Sequence, residues 1–131
     1  MNNELTPYIE YYDNWNVYIK GQKNSKGQEE GIWEMFYGNG NIRMRTPFKE
    51  GKEDGIEEVF YSNGNIRWRI PYREGKRDGI EEWFYENGNI EIRTSYKEGN
   101  LDGIEEEFDE QGNITKTRLW KDGELIETTK H

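Results

Sequence analysis

Cysteine is absent from the 131-residue chain, which excludes a disulfide framework and any thiolate-held metal. The one histidine is His131, so histidine-based catalysis is not expected. No apolar run approaches the ~20 residues of a membrane-spanning helix. The opening MNNELTPYIEYY has neither the basic stretch nor the apolar stretch of an export signal, and the cytoplasm is the expected location. Apolar residues are scarce too, at 31% with a mean hydropathy of −1.23, which rules out a large central core. Composition this polar usually means disorder. Five Trp, nine Tyr and five Phe placed at regular intervals argue instead for a folded chain whose apolar surface lies in thin stripes.

The net charge of −9 is unevenly spread. Residues 31–54 carry four acids and four bases, and residues 55–78 carry four and five. Residues 79–102 carry six acids and two bases, and residues 103–131 eight and four, so each of these segments stands at −4. The acidic C-terminal half counts against direct nucleic-acid binding, which needs Lys and Arg to displace counterions. It suits a basic protein partner.

What the sequence does have is repetition. FYGNGNIRMR at 36–45 recurs as FYSNGNIRWR at 60–69 and FYENGNIEIR at 84–93, with a worn copy, FDEQGNITKT, at 108–117. Each is led in by Gly-Ile, at 31, 55, 79 and 103, a period of 24 residues. Fixed-period self-similarity decides architecture first. The units are a degenerate N-terminal one at 8–30, repeats at 31–54, 55–78 and 79–102, and a degenerate C-terminal repeat and cap at 103–131. Together they form one repeat domain over 1–131.

Asn-Gly between alternating segments signals a hairpin with a two-residue type I′ turn. Asn39-Gly40, Asn63-Gly64 and Asn87-Gly88 fill that role, and Gln111-Gly112 is a poorer version. Centred on Asn63-Gly64, the register pairs Tyr61 with Ile66, Phe60 with Arg67, Val59 with Trp68, Glu58 with Arg69 and Glu57 with Ile70. Side chains alternate along a strand. Tyr61, Val59, Ile66, Trp68 and Ile70 therefore share one face, and Ile56, Glu58, Phe60, Arg67 and Arg69 the other. KEGKEDG, REGKRDG and KEGNLDG between the repeats read as return turns. Centring the second on Gly75-Lys76 brings Glu82 beside Arg69. Glu34, Arg45, Glu58, Arg69, Glu82, Arg93 and Glu106 then make one alternating charge row. Pro47 and Pro71 interrupt this register and predict a bulge or an early end to pairing. The terminal units depart from the pattern, with Asn14-Trp15 replacing Asn-Gly and charged Asp109 and Lys116 replacing apolar residues. Charge on a terminal strand blocks edge-to-edge association. The expected fold is all-β, an antiparallel meander of about five hairpins in an elongated, curved, largely single-layer sheet.

Catalytic and metal-binding motifs fail on geometry. Glu57-Glu58, Glu81-Glu82 and Glu105-Glu106 are neighbours on a strand and point to opposite faces, so they do not converge as a glycosidase pair. They read as solvated, paired sheet charges. Asp109 to Asn113 lacks the spaced ligands of a calcium loop, and the Asn-Gly-Asn triplets lack the helix of a phosphate cradle. No cofactor, metal or catalytic residue is expected, and the chain is not expected to be an enzyme. The aromatic stripe Trp33, Tyr37, Tyr61, Trp68, Trp83 and Tyr85 is either self-packed or open to a partner. This stripe and the acidic patch Glu105, Glu107, Asp109 and Glu110 are the two candidate binding surfaces.

The unit Gly-Ile-Glu-Glu-x-Phe-Tyr-x-Asn-Gly-Asn-Ile followed by Tyr-Lys-Glu-Gly resembles the variant of the membrane occupation and recognition nexus (MORN) repeat found in bacterial proteins, over about residues 8–123. The resemblance implies a run of hairpins used as a binding scaffold, and many members carry an antitoxin-like label. Repeats of the eukaryotic kind are tied to membrane attachment, but this acidic chain has no basic patch for anionic lipid, so no membrane contact is expected. The expected function is a non-enzymatic protein-binding module that inhibits a partner, the target being a basic nucleic-acid enzyme. A mobile-element inhibitor of a nucleic-acid-dependent defence enzyme, of the anti-CRISPR kind, and a self-associating scaffold are the alternatives.

Overall fold

The computed structural model describes residues 4–131; Met1 to Asn3 of the expected domain lie outside the described residues. The strands in chain order are β1 (Thr6–Tyr11), β2 (Val17–Lys23), β3 (Glu29–Phe36), β4 (Ile42–Lys49) and the short β5 (Lys52–Glu53). Next come β6 (Gly55–Phe60), β7 (Ile66–Arg73), the short β8 (Lys76–Arg77), β9 (Gly79–Phe84) and β10 (Ile90–Lys97). β11 (Asn100–Phe108), β12 (Ile114–Lys121) and β13 (Glu124–Lys130) complete the set. All belong to one antiparallel sheet, ordered as in the chain from β1 to β13, with β5 against β4 and β8 against β7 off the main path. The sheet is the expected meander. It is open and uncurled, with β1 and β13 at opposite edges, and no helix occurs among the described residues.

The middle of every hairpin has the expected register: Val59 faces Trp68, Glu58 faces Arg69 and Glu57 faces Ile70. The turns that deliver it are of another kind. At the hairpin tip the Gly64 amide donates to the Tyr61 carbonyl, and the Tyr61 amide to the Asn65 carbonyl. Ser62, Asn63 and Gly64 therefore form a three-residue loop, and only Gly64 has positive φ, at 94°. This is a type I turn closed by a left-handed glycine. The loop's extra residue is compensated by a bulge, because Phe60 pairs with Ile66 and Arg67 is skipped. The same skip falls on Tyr18, Arg43, Glu91 and Thr115 in the other hairpins. Two offsets of opposite sense cancel, so the central register reads as if the tip were a two-residue turn.

The type I′ turns lie at the other end of the strands. Glu74 (φ 51°) and Gly75 (φ 82°) are both left-handed and join Arg73 to Lys76. This corrects the Gly75-Lys76 centring. Glu50-Gly51, Glu98-Gly99 and Asp122-Gly123 repeat the geometry. Glutamate is a poor residue for positive φ, so something must hold it. The Glu98 amide donates to the Asp78 carboxylate and the Gly99 amide to the Arg77 carbonyl, both in the preceding turn. Asp54 and Asp102 serve the Glu74 and Asp122 amides in the same way, and Glu30 serves Glu50. Successive amides of a left-handed pair form an anion-binding concavity. Asp54, Asp78 and Asp102 each reach into the concavity of the next turn.

Pairing between hairpins is interrupted at the prolines, as a bulge there would do, and resumes beyond them at Phe48–Glu53 and Tyr72–Arg77. β4 meets β6 at Met44–Val59 and Arg45–Glu58, and then the backbone is interrupted. The Asp54 amide reaches the Pro47 carbonyl, and Gly55 sits so close that a Cβ would lie 2.7 Å from the Pro47 ring.

With one layer, burial comes from neighbouring side chains. Val59, Ile70, Trp33, Thr46, Thr94 and Glu81 are buried on one face. The opposite face carries a line of half-exposed isoleucines, Ile32, Ile56, Ile80 and Ile104. The charge row runs beside that line as expected, with Arg45 3.4 Å from Glu34 and 3.6 Å from Glu58, and Arg69 3.3 Å from Glu82. Lys20, 3.8 Å from Glu34, extends it by one member.

Candidate functional site

The six aromatic residues of the candidate stripe all lie on the face that buries Val59, and none is fully open. Trp33 is buried under Tyr8 and Phe48, at ring separations of 5.4 and 6.4 Å. Its ring covers Gly21, where a Cβ would fall 2.2 Å from it. Trp68 and Trp83, directly opposite on β7 and β9, stack with centroids 4.6 Å apart and planes tilted by 40°. The rings are thus half self-packed, and their remaining edges face solvent.

The tyrosines bridge hairpins. The hydroxyls of Tyr12, Tyr37, Tyr61 and Tyr85 donate to the carbonyls of Phe36, Phe60, Phe84 and Phe108, each in the next hairpin, at 2.6 to 2.7 Å. The amides of Asn16, Asn41, Asn65 and Asn89 follow, donating to the carbonyls of Gly38, Ser62, Glu86 and Glu110. These two ladders hold the tips together beyond the point where hairpins stop pairing. At the last tip the ladder position is Asp109, whose carboxylate turns inward to the amides of Gln111 and Asn113.

The expectation that the first glutamate of each Gly-Ile-Glu-Glu is a solvated charge is corrected. Glu57, Glu81 and Glu105 lie on the aromatic face and accept from the indole nitrogens of Trp68, Trp83 and Trp120 at 3.1, 2.7 and 3.2 Å. Glu81 is buried and also meets Arg77 at 3.4 Å. Sequence alternation did place these glutamates opposite Glu58, Glu82 and Glu106. The signal for their placement was a tryptophan two, eleven or fifteen residues on, with an N–H that must find an acceptor.

Arg67 is a second correction. Placed by strict alternation beside Phe60, it is brought by the bulge over Tyr61 and Trp68, with its guanidinium 5.7 and 5.3 Å from the ring centres. Glu91 is the bulged residue of the next hairpin, and it was missed for the same reason. Glu91 lines a shallow depression of about 250 Å³ with Tyr85, Ile92, Glu107, Phe108 and Thr115.

That depression brings together part of the candidate acidic patch. Burial first, and then the charges of Glu91, Glu110, Asp109 and Glu107, push the Tyr85 phenol above its ordinary pKa. Glu91 and Glu107 thus share the depression with the Tyr85 ring, and Asp109 and Glu110 on the adjoining tip add to the negative charge around it. Glu107 is partly neutralised by Lys116 at 3.2 Å and Arg118 at 3.5 Å. Asp109 is held below the usual carboxylate range by the amide of Asn113. Glu105 is set apart, bonded to Arg118 and Trp120. Glu110 is exposed, and its carbonyl, not its carboxylate, takes the bonds from Asn87 and Asn89. No cluster of His, Cys, Asp and Glu suited to a metal occurs among the described residues, and they form no helix long and apolar enough to cross a membrane.

Comparison with protein families gives four consecutive matches to the MORN repeat variant, at residues 29–50, 53–74, 77–98 and 101–122. No curated protein matches the chain. The four segments cover more than half of the sequence, and the chain belongs to the MORN repeat variant family, a repeat module for binding or scaffolding. The matched units end on the first residue of a return turn, Glu50, Glu74, Glu98 or Asp122, and each contains one complete tip.

Proposed function

We propose that this chain is a non-enzymatic module that binds a basic protein through the acidic corner around Tyr85 and the ring edges of the adjoining aromatic face, and so blocks that protein's action. The placement of Glu91 and Glu107 beside Tyr85 in one depression, next to the tip that carries Asp109 and the exposed Glu110, carries the reading. Carboxylates beside an aromatic ring suit a lysine or arginine side chain, which gains a charge-assisted hydrogen bond and a cation–π contact together. The excess of negative charge in residues 79–131 extends this corner into a field that steers a basic surface toward it. Nucleic-acid enzymes present such surfaces, and occlusion of one gives an inhibitor of the antidote or anti-defence kind. The non-enzymatic reading is supported by Glu57, Glu81 and Glu105, the glutamates of the aromatic face in the Gly-Ile-Glu-Glu segments, each of which is committed to an indole.

Glu91 and Glu110 are the informative positions, because Asp109 holds its turn and Glu105 holds Trp120. The tagged chain should retain a basic protein from its native lysate, release it in moderate salt, and lose the captured protein's activity when in excess. Glu91→Gln with Glu110→Gln should weaken capture about tenfold and flatten its salt dependence. Unchanged affinity and salt slope in that variant would remove the acidic corner from the account.

A further inference from the structure

On the opposite face, a single line of directly paired residues crosses the sheet from β2 to β11: Lys20, Glu34, Arg45, Glu58, Arg69, Glu82, Arg93 and Glu106. It has four bases and four acids in strict alternation, beginning with a base and ending with an acid. Such a line is complementary to itself when reversed. A two-fold axis along the strands, passing between β6 and β7, would set Glu58 over the second copy's Arg69, Arg45 over Glu82, Glu34 over Arg93 and Lys20 over Glu106. All four pairings join opposite charges.

The same rotation keeps the neighbouring apolar line over itself. Pro47 stands opposite Ile32, Pro71 opposite Ile56 and Ser95 opposite Ile80 within the sheet. In the rotated copy Ile56 meets Pro71, Ile80 meets Pro47 and Ile32 meets Ser95. Each protruding isoleucine, 52–56% exposed in the single chain, thus faces a small or flat residue. Eight strands at ~4.8 Å and three side-chain rows, the third being Phe36, Phe60 and Phe84 beside the charge line, span roughly 40 by 20 Å. That is about 800 Å² per copy, the area a specific interface needs on each side.

We infer that this isoleucine and ion-pair face is the interface of a symmetric homodimer, two sheets packed face to face. The charge line sets the register and orientation of the copies, and the isoleucines supply the apolar area. This goes beyond the proposed partner binding and uses the other face, so the aromatic face and the Tyr85 corner stay outward in both copies.

Sedimentation equilibrium on the full chain tests the inference. The mass should rise with concentration from 15.7 kDa to twice that value and stop there. Ile56→Asp and Ile80→Asp should abolish the dimer with an unchanged far-ultraviolet dichroism spectrum, because both side chains are exposed. The absence of native cysteine allows a second test with single cysteines and a short bis-maleimide. Ile56→Cys lies beside the axis and should crosslink to its own copy, whereas Ile32→Cys, about five strand spacings or 24 Å from its mate, should not. A monomer at every soluble concentration would overturn the inference. So would a dimer indifferent to both aspartates, growth beyond a dimer, or equal crosslinking at the two positions.

Discussion

The Tyr61 hydroxyl donates a 2.7 Å hydrogen bond to the carbonyl of Phe84, one hairpin along. On the tip side of Pro71, backbone pairing between those hairpins is limited to Trp68–Trp83 and Arg69–Glu82, so side chains must secure the tips. Tyr61→Phe keeps the ring and removes the bond, leaving a half-buried carbonyl without its donor. Urea denaturation should show a loss of about 1 kcal/mol with an unchanged m value.

Trp33 lies flat on Gly21, with no room for a methyl group between them. Gly21→Ala should displace the indole from its place between Tyr8 and Phe48 and cost about 1–3 kcal/mol, the usual penalty of overpacking. A blue shift or red shift of tryptophan fluorescence, together with a lower melting temperature, would report the displacement.

Trp15 occupies the left-handed position (φ 67°) that glycine holds in every other tip, and its side chain is 80% exposed. Left-handed backbone costs a residue with a Cβ about 1–2 kcal/mol, and little burial offsets it here. Trp15→Gly should therefore raise stability by about 1 kcal/mol, read as a higher urea midpoint.

Tyr72 and Tyr96 have phenols raised above their ordinary pKa, in both cases chiefly by burial, with the charges of Glu57 and Glu81 adding to it. A raised folded-state pKa means that the folded chain holds its protons longer than the unfolded chain. The contribution is whole below the unfolded pKa of about 10 and fades as pH climbs through the higher folded value. Melting temperature should drop above about pH 10, and the drop should be shallower in Tyr72→Phe with Tyr96→Phe.

The 24-residue period and strand alternation were enough to locate the strands, the charge row and the stripe of rings. They were not enough at the tips. A two-residue turn and a three-residue turn followed by a bulge leave the same register in the strand centre, so Asn-Gly could not distinguish them. The difference matters for one residue per hairpin, and Arg67 and Glu91 are those residues. The role of Asp54, Asp78 and Asp102 was equally hidden, because each caps a turn about twenty residues further on and no local pattern announces so distant a bond. Exposure was hidden too: Ile56 and Val59 look alike in composition, yet Val59 is 5% exposed and Ile56, on the opposite face, 52%.

Nuclear Overhauser contacts from the Trp68 indole test the sorting of the two faces on which both binding surfaces depend. Contacts should run to Trp83 and Val59, with none to Ile56 or to the methylenes of Arg69. A Trp68 indole in contact with Ile56 or Arg69 would put the rings and the ion-pair row on one side, and the two surfaces assigned to this sheet would not exist.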